Sequence, residues 1–323
     1  MAGVSVTTVS RVLNDPGSVS EKRKAAVVLA MKQLDFRPSI AARTLATGRS
    51  KSIALVVSDT NMYGYSTAIQ GVEEAARRSG FATIITVVDR DDDDHARAAV
   101  DVVVGQSVAG VIGLEFDTTV ARTLREIPKH VPMAVVSVSG AGASARHSLH
   151  VDDALGTLQA TTHLLALGHR TVHYFVVEDS HFKDTGRVSG WRHALTAAEL
   201  PVPPPVSTGW SPEAAYRAAT TSYQPDMTAL LCHNDEIAMG VMSALHDLGL
   251  SVPGDVSVIG VDDHPIGRVW QPRLTTVQID FFGLGGRVFA LLHAILKGEE
   301  APTHTQVEPV FVLRSSTAKP RSG

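Results

Sequence analysis

The chain has almost no cysteine. Cys232 is the single one in 323 residues, which excludes an intrachain disulfide, and its apolar setting in Ala229–Cys232 predicts a buried thiol. Long apolar runs are missing too, since none approaches the roughly 20 residues that a bilayer-spanning helix needs. No charged segment followed by an apolar one opens the chain, so no export signal is read and the cytoplasm is the expected compartment, with no membrane partner. Catalytic signatures are equally sparse. The 14 histidines show no His-Glu-x-x-His or paired metal spacing, and no Gly-x-Ser-x-Gly elbow appears. No catalytic residue, metal site or cofactor is therefore assigned. Gly140–Ala145 matches Gly-x-Gly-x-x-Ala, but Arg146–Val151 after it reads as a strand. That leaves no helix N-terminus for a pyrophosphate, and the segment is expected to be a flexible loop. Asp91–Asp94 precedes a helix starting near His95, where acids favour the helix dipole and stay solvated.

What is present begins with charge. The chain is nearly neutral as a whole, at −4, but residues 1–52 carry nine basic and three acidic side chains, a net +6, and the remainder is −10. A basic head on an acidic body is the footprint of a nucleic-acid-binding module on a soluble core. Residues 2–14 of that head read as the turn and second helix of a helix-turn-helix. Gly3 suits the turn and Ser5 an N-cap. Val9 and Leu13, four apart, are expected to pack inward. Val6, Thr7, Ser10, Arg11 and Asn14 share the other face, short and polar enough to meet base edges and phosphates. After the turn at Asp15–Gly17, Ser20 is expected to cap a helix through about Leu34, with Val27, Met31 and Leu34 on one stripe. Arg37-Pro38 stops it. Residues 39–46 offer a third helical stretch too short to stand alone, a disordered linker in the free protein that needs a partner surface to fold. No sequence for the first helix of such a unit stands ahead of Ala2, and the expectation is a start upstream of Met1.

From Ser52 the texture changes. Ile53–Ser58, Ala82–Val88, Val108–Leu114 and Met133–Val138 read as buried strands, separated by helices near 65–79, 94–106 and 118–127. After an extended stretch at His147–Asp153 come a helix near 154–167, a strand at Val172–Val177, a helix near 187–199, a strand at Ala229–Cys232, a helix at 235–248 and a strand at Val256–Val261. Repeated βα units predict an α/β body of parallel sheets flanked by helices. The His147–Asp153 stretch and the Pro203–Pro205 break divide it into two lobes.

Ligands of open α/β sheets gather beyond the carboxyl ends of strands. Those ends carry Ser58 and Asp59, Glu115, Asn234 and Asp235, then Asp262 and Asp263. Arg187 opens a helix after a loop, and Trp210 sits in a Gly-Trp-Ser-Pro turn. Carboxylates, an amide, an arginine and an aromatic plate suit a polyol or sugar, whose hydroxyls need polar grips and whose apolar face needs a cover. Asp262-Asp263-His264 has acid–base groups but no nucleophile at a defined spacing, and ligand contact is the better reading.

The residues now place the chain in a family. Ala2–Ser5 with Thr8–Asn14, Val19–Glu21, Phe36–Pro38, Ala42–Leu45, Thr47–Ser50, His163–Arg170, Arg187–Trp191, Cys232–Gly240, Val252–Asp263 and Pro272–Val277 together resemble the lac-repressor family of bacterial transcription regulators over essentially the whole length. The resemblance implies a helix-turn-helix head at 1–38, a hinge at 39–50 and a periplasmic-binding-protein-like body at 51–323. Its first lobe would span about 51–150 and 281–308, and its second about 151–280 and 309–318. It implies base reading by Val6, Thr7 and Arg11, with Ser10 and Asn14 nearer phosphate. It also implies a hinge helix at 39–46 that wedges Leu45 into the minor groove of a pseudo-palindromic operator. Arg187, Asn234 and Asp262 match effector-gripping positions, Trp210 and Phe281 aromatic contacts, and Ser58 and Met62 first-lobe contacts.

Val88–Arg90, Ala98–Val100 and Gly209–Ser211 resemble galactoside-responsive members, which implies a galactoside-like effector. The departures are the missing first helix, Ser39 in place of the usual hinge asparagine, and Ile279 where a glutamine stands near the effector in galactoside-responsive members. No leucine heptad closes the chain, so a homodimer through the lobes is expected. The function implied is allosteric control of operator affinity by a small sugar-like effector. The alternative is a sugar-binding protein without effective DNA binding.

Overall fold

A computed structural model describes residues 2–14, 16–36, 50–89, 93–106, 108–138, 147–177 and 186–321. The expected hinge at 39–46 with Leu45, the Gly140–Ala145 loop, and Asp15 and Asp91 all lie outside them. The chain divides into two compact units, Met1–Lys51 and Ser52–Gly323.

The first unit is helical. Helix α1, Val6–Asn14, starts where Ser5 stands as its cap. The Ser5 hydroxyl accepts the Thr8 N–H at 3.2 Å, and its carbonyl accepts from Thr8 and Val9. The buried residue of α1 is Val12, while Val9 and Leu13 are half-buried; the inward face is thus one residue off the expected one. A short 3-10 turn, Pro16–Ser18, leads to α2, Glu21–Gln33. Ser20 stands at its N-cap, but only the backbone carbonyl does the capping, receiving Arg23 and Lys24 N–H, and the hydroxyl makes no cap bond. Val27 and Ala30 are the buried residues of α2, and Leu34, expected on the buried stripe, is 65% exposed. Leu34 lies past the last helical turn, where Asp35 takes a positive φ and turns the chain away.

The second unit holds two six-stranded sheets. The first runs β2-β1-β3-β4-β5-β11, made of Ala82–Val87, Ser52–Val57, Gly110–Glu115, Met133–Ser137, His147–Val151 and His304–Val307, every pairing parallel. The second runs β7-β6-β8-β9-β10-β12, made of Val206–Thr208, His173–Val177, Ala229–Cys232, Ser257–Asp262, Thr275–Gln278 and Val310–Val312. It is parallel except for the antiparallel β10–β12 pair. Parallel strands need crossovers, and helices supply them: α3 Tyr63–Arg78, α4 Asp93–Gly105 and α5 Thr118–Glu126 in the first sheet, α7 Gly186–Ala197, α8 Pro212–Ser222 and α9 Asp235–Asp247 in the second, while α6 Asp153–Ala166 and α10 Phe281–Lys297 run from one sheet to the other. The central strands are buried along their whole length, as sheets covered on both faces require.

The chain passes between the sheets after β5, after β10 and between β11 and β12. Two of these crossings are tied together: Asp152 accepts from Gln306 Nε2 at 2.8 Å and donates its N–H to the Val307 carbonyl. The expected strands and helices of the body are found within a few residues. The short strands β7, β10, β11 and β12 and the helices α8 and α10 were not read from the sequence. Three or four residues hold no measurable period, and α10 carries Gly283, Gly285 and Gly286 in its first turns. Gly285 has a packing reason, since a Cβ there would run into the Ala68 carbonyl of α3.

Candidate functional site

On the head, Val6 is 86% exposed, and Thr7, Ser10 and Arg11 are exposed on α1 as well. Asn14 closes the helix. These residues were expected on one outward face, and the fold leaves Val6, Thr7, Ser10 and Arg11 uncovered.

In the body, the carboxyl ends of the central strands meet at a cleft. Met62, Arg187, Trp210, Asn234, Asp262 and Phe281, all picked from the sequence, line it. Ser58 does not. Its hydroxyl is engaged by the Asp117 carboxylate and lies 3.0 Å from the Tyr65 hydroxyl, which itself donates to Asp117 at 2.9 Å. Tyr65 reaches the cleft instead, joined by Phe116, Asp153, His233 and Glu236, which the sequence reading did not name. Phe116 and Glu236 each follow a strand-end residue by one or two places, so the strand-end rule pointed at the right neighbourhood.

Arg187 is the centre of the polar wall. As the second residue of α7 it sends Nε to Asp153 Oδ2 at 2.8 Å, Nη1 to the His233 carbonyl and Nη2 to Asp262 Oδ1 at 3.1 Å. Its side chain is only 11% exposed. Burial opposes its charge, but Asp153 and Asp262 outweigh that and hold the guanidinium cationic. Burial pushes the Asp262 carboxyl up to about 7 against the pull of Arg187. It also raises Asp153, and raises Glu236 with help from Asp59. His233 is held neutral by burial and by Arg187 beside it. Asn234 caps α9, its Oδ1 accepting the Ile237 N–H at 2.8 Å. That fixes the amide's orientation and leaves its NH₂ donors for the cleft.

Not every strand-end carboxylate faces the cleft. Asp59 accepts the Asn61 and Met62 N–H groups at 2.6 and 2.9 Å and shapes the start of α3. Asp235 is buried, taking the Thr276 hydroxyl and the His264 N–H at 2.6 Å each. Asp263 binds Arg268 at 2.9 Å, Gln278 at 3.1 Å and the Arg314 guanidinium. These bonds hold a strained corner, because Asp262 and Asp263 both have positive φ, 110° and 58°. Such backbone costs about 1–3 kcal/mol per residue and persists where surroundings over-determine it. Here it turns the Asp262 carboxylate toward Arg187.

The apolar walls are aromatic. Phe281 meets Tyr63 and Phe116 edge-on at 6.1 and 5.5 Å, and Trp210 stands perpendicular to His233 at 5.6 Å. The Tyr63 ring crosses to His264 of the other lobe at 4.7 Å. Among the described residues no group of three or more His, Cys, Asp or Glu could hold a metal ion, and no helix is long and apolar enough to cross a membrane.

Comparison with known proteins decides what this arrangement belongs to. Residues 1–39 match the bacterial regulatory proteins of the lacI family, and residues 161–317 match the periplasmic binding protein-like domain. The HTH-type transcriptional repressor PurR of Yersinia pestis (strain Pestoides F) is 33% identical, over 98% of this chain and 94% of its own. The chain belongs to the lacI family of bacterial regulatory proteins. Within that family, the crystal structure of the lac repressor dimer bound to operator and the anti-inducer ONPF superposes with a TM-score of 0.86 at 27% identity, over 98% of this chain and 96% of that one. The complex of the transcriptional regulator CelR with cellobiose gives 0.72 at 26%, over 98% and 97%. The parallel sheets, the two lobes and the N-terminal helices are those of this lacI-family fold.

Proposed function

We propose that this protein is a DNA-binding transcriptional repressor whose operator affinity is controlled by a small sugar-like effector held between the lobes. The observation that carries the reading is the cleft itself. An arginine bridged between two carboxylates, a helix-capping amide with spare donors and two aromatic plates converge on one space. That combination recognises ring hydroxyls and covers a sugar face. Among the described residues its lining pairs no nucleophile with a base, and the chemistry present suits binding.

The head is residues 1–38, the hinge 39–50 and the body 51–323, with lobes at about 51–150 with 281–308 and about 151–280 with 309–318. Val6, Thr7 and Arg11 read bases, Ser10 and Asn14 lie nearer phosphate, and Leu45 enters the minor groove. A cytoplasmic homodimer presents two heads to a pseudo-palindromic operator. Arg187, Asn234, Asp262, Met62, Trp210 and Phe281 hold the effector, a galactoside being the leading candidate, and Ser58 with Asp117 braces Tyr65 of the cleft from behind. Effector and operator change each other's affinity by the same factor, because coupling free energies are reciprocal.

Operator affinity measured by fluorescence anisotropy against increasing sugar concentration tests this. A sugar that binds and shifts operator affinity supports it. A sugar that binds the cleft with operator affinity unchanged overturns the allosteric part.

A further inference from the structure

Asp153 is only half satisfied. Its side chain is 4% exposed, and Oδ2 is taken by Arg187. Oδ1 is buried and has no hydrogen-bond partner among the described residues. A buried acceptor left unpaired is costly, more so on a carboxylate, and such atoms ask for a partner the protein alone does not supply. The residue lines the cleft beside Arg187 and Val138. Among the described residues two other buried atoms lack a partner, Thr83 Oγ1 and His173 Nε2, and both belong to residues outside the cleft lining.

Charge points the same way. Among the described residues that line the cleft there is one guanidinium, that of Arg187, which pairs with Asp153 and Asp262, and Glu236 is a third carboxyl in the same lining. Arg268 and Arg314 are committed to Asp263 behind the wall. An arginine with free faces is a phosphate site; each nitrogen of this one already donates, to Asp153, the His233 carbonyl and Asp262, and an anion entering a space where burial already disfavours ionised carboxyls meets the same desolvation cost.

We propose that Asp153 is a specificity-determining residue. Its Oδ1 accepts an O–H or N–H from the effector, and the cleft thereby selects an uncharged, hydroxyl-bearing ligand over its phosphorylated or carboxylated counterpart. The proposal rests on the reading of the cleft as the effector site.

The test is calorimetric titration of the full chain with matched pairs: D-galactose and galactose 6-phosphate, D-galactose and galacturonate, D-ribose and ribose 5-phosphate, with monodeoxy analogues of whichever neutral sugar binds. The neutral member is expected to bind about a hundredfold tighter than its anionic partner. Asp153→Asn keeps a carbonyl for Arg187 Nε, and its fold is checked by thermal melting. It is expected to weaken the neutral sugar about tenfold or more. The deoxy analogue lacking the hydroxyl that meets Oδ1 then loses nothing further in Asp153→Asn, a non-additivity that a purely structural role would not produce. Equal or tighter binding of the anionic member overturns the proposal. So does unchanged affinity in Asp153→Asn, or additive losses for every deoxy analogue. If no member of the panel binds, the effector reading falls and this proposal falls with it.

Discussion

The guanidinium of Arg187 reaches Asp153 because two helices touch at a glycine. Nε of Arg187, near the start of α7, lies 2.8 Å from Oδ2 of Asp153, the first residue of α6. The Thr157 hydroxyl of α6 donates to the Arg187 carbonyl at 2.8 Å and locks the two helices together one turn on. At Gly190 a Cβ would run into the Ala154 carbonyl and the Thr157 hydroxyl. The close approach of these helices is what brings cation and carboxylate into register.

Gly190→Ala therefore acts on a cleft it does not line. Forcing α6 and α7 apart is expected to cost about 1–3 kcal/mol of stability and to draw Arg187 away from Asp153. Urea unfolding and effector titration check the pair of effects. A destabilised variant with unchanged effector affinity would show that helix spacing does not set the cleft geometry.

Removing the cation itself is harsher. Arg187→Met leaves Asp153 and Asp262 buried without their partner, for an expected loss of about 3–5 kcal/mol. The loss is largest at alkaline pH, where both carboxyls are ionised, and shrinks as acid neutralises them. Chemical denaturation at several pH values measures it; a loss that does not vary with pH would contradict the charge argument.

Asn234 combines two roles that substitution separates. Asn234→Asp retains an oxygen for the Ile237 N–H, but it buries a further carboxyl at a 3% exposed position beside Asp235 and Asp262, so a loss of stability that grows as pH rises is expected to outweigh any gain from the N-terminus of α9. Asn234→Ala loses the cap, for about 1 kcal/mol. Both lose the amide donors, and both are expected to weaken effector binding about tenfold or more. Full effector affinity in Asn234→Asp would remove the side chain from the binding role.

Asp262 sets a pH dependence of stability. Burial raises its folded-state pKa to about 7, above the unfolded value of about 4. The folded state then binds the proton more readily than the unfolded one. Its contribution is fully present below about pH 4 and lost as pH rises through about 7. In Asp262→Asn this term is absent, so the melting temperature of the variant relative to the parent is expected to climb between about pH 5 and about pH 8. A constant difference across that range would mean that the carboxyl titrates as an exposed one.

Much of the cleft lining was legible before any coordinates. Arg187, Asn234 and Asp262 stand at helix starts and strand ends, where a parallel sheet gathers its ligands, and resemblance sharpened the choice among them. Asp235 and Asp263 stand at equivalent ends with the same chemistry, yet they brace the backbone. Only their partners, Thr276 and the His264 N–H for one and Arg268, Gln278 and Arg314 for the other, distinguish scaffold from cleft. Ser58 shows the reverse error, since its place beyond β1 is right and Asp117, distant in sequence, draws the hydroxyl away.

The sequence by itself determined the α/β alternation, the basic head and the family. These rest on local periodicity, charge distribution and motif spacing, all of which are written along the chain. Tertiary structure alone decided that Asp153 has one oxygen bound and one without a partner among the described residues, that Asp262 and Asp263 are held with positive φ, and that β11 and β12 part into different sheets. Each depends on which distant residue fills the space beside it, and burial and pairing across the fold are not carried by any single stretch of sequence.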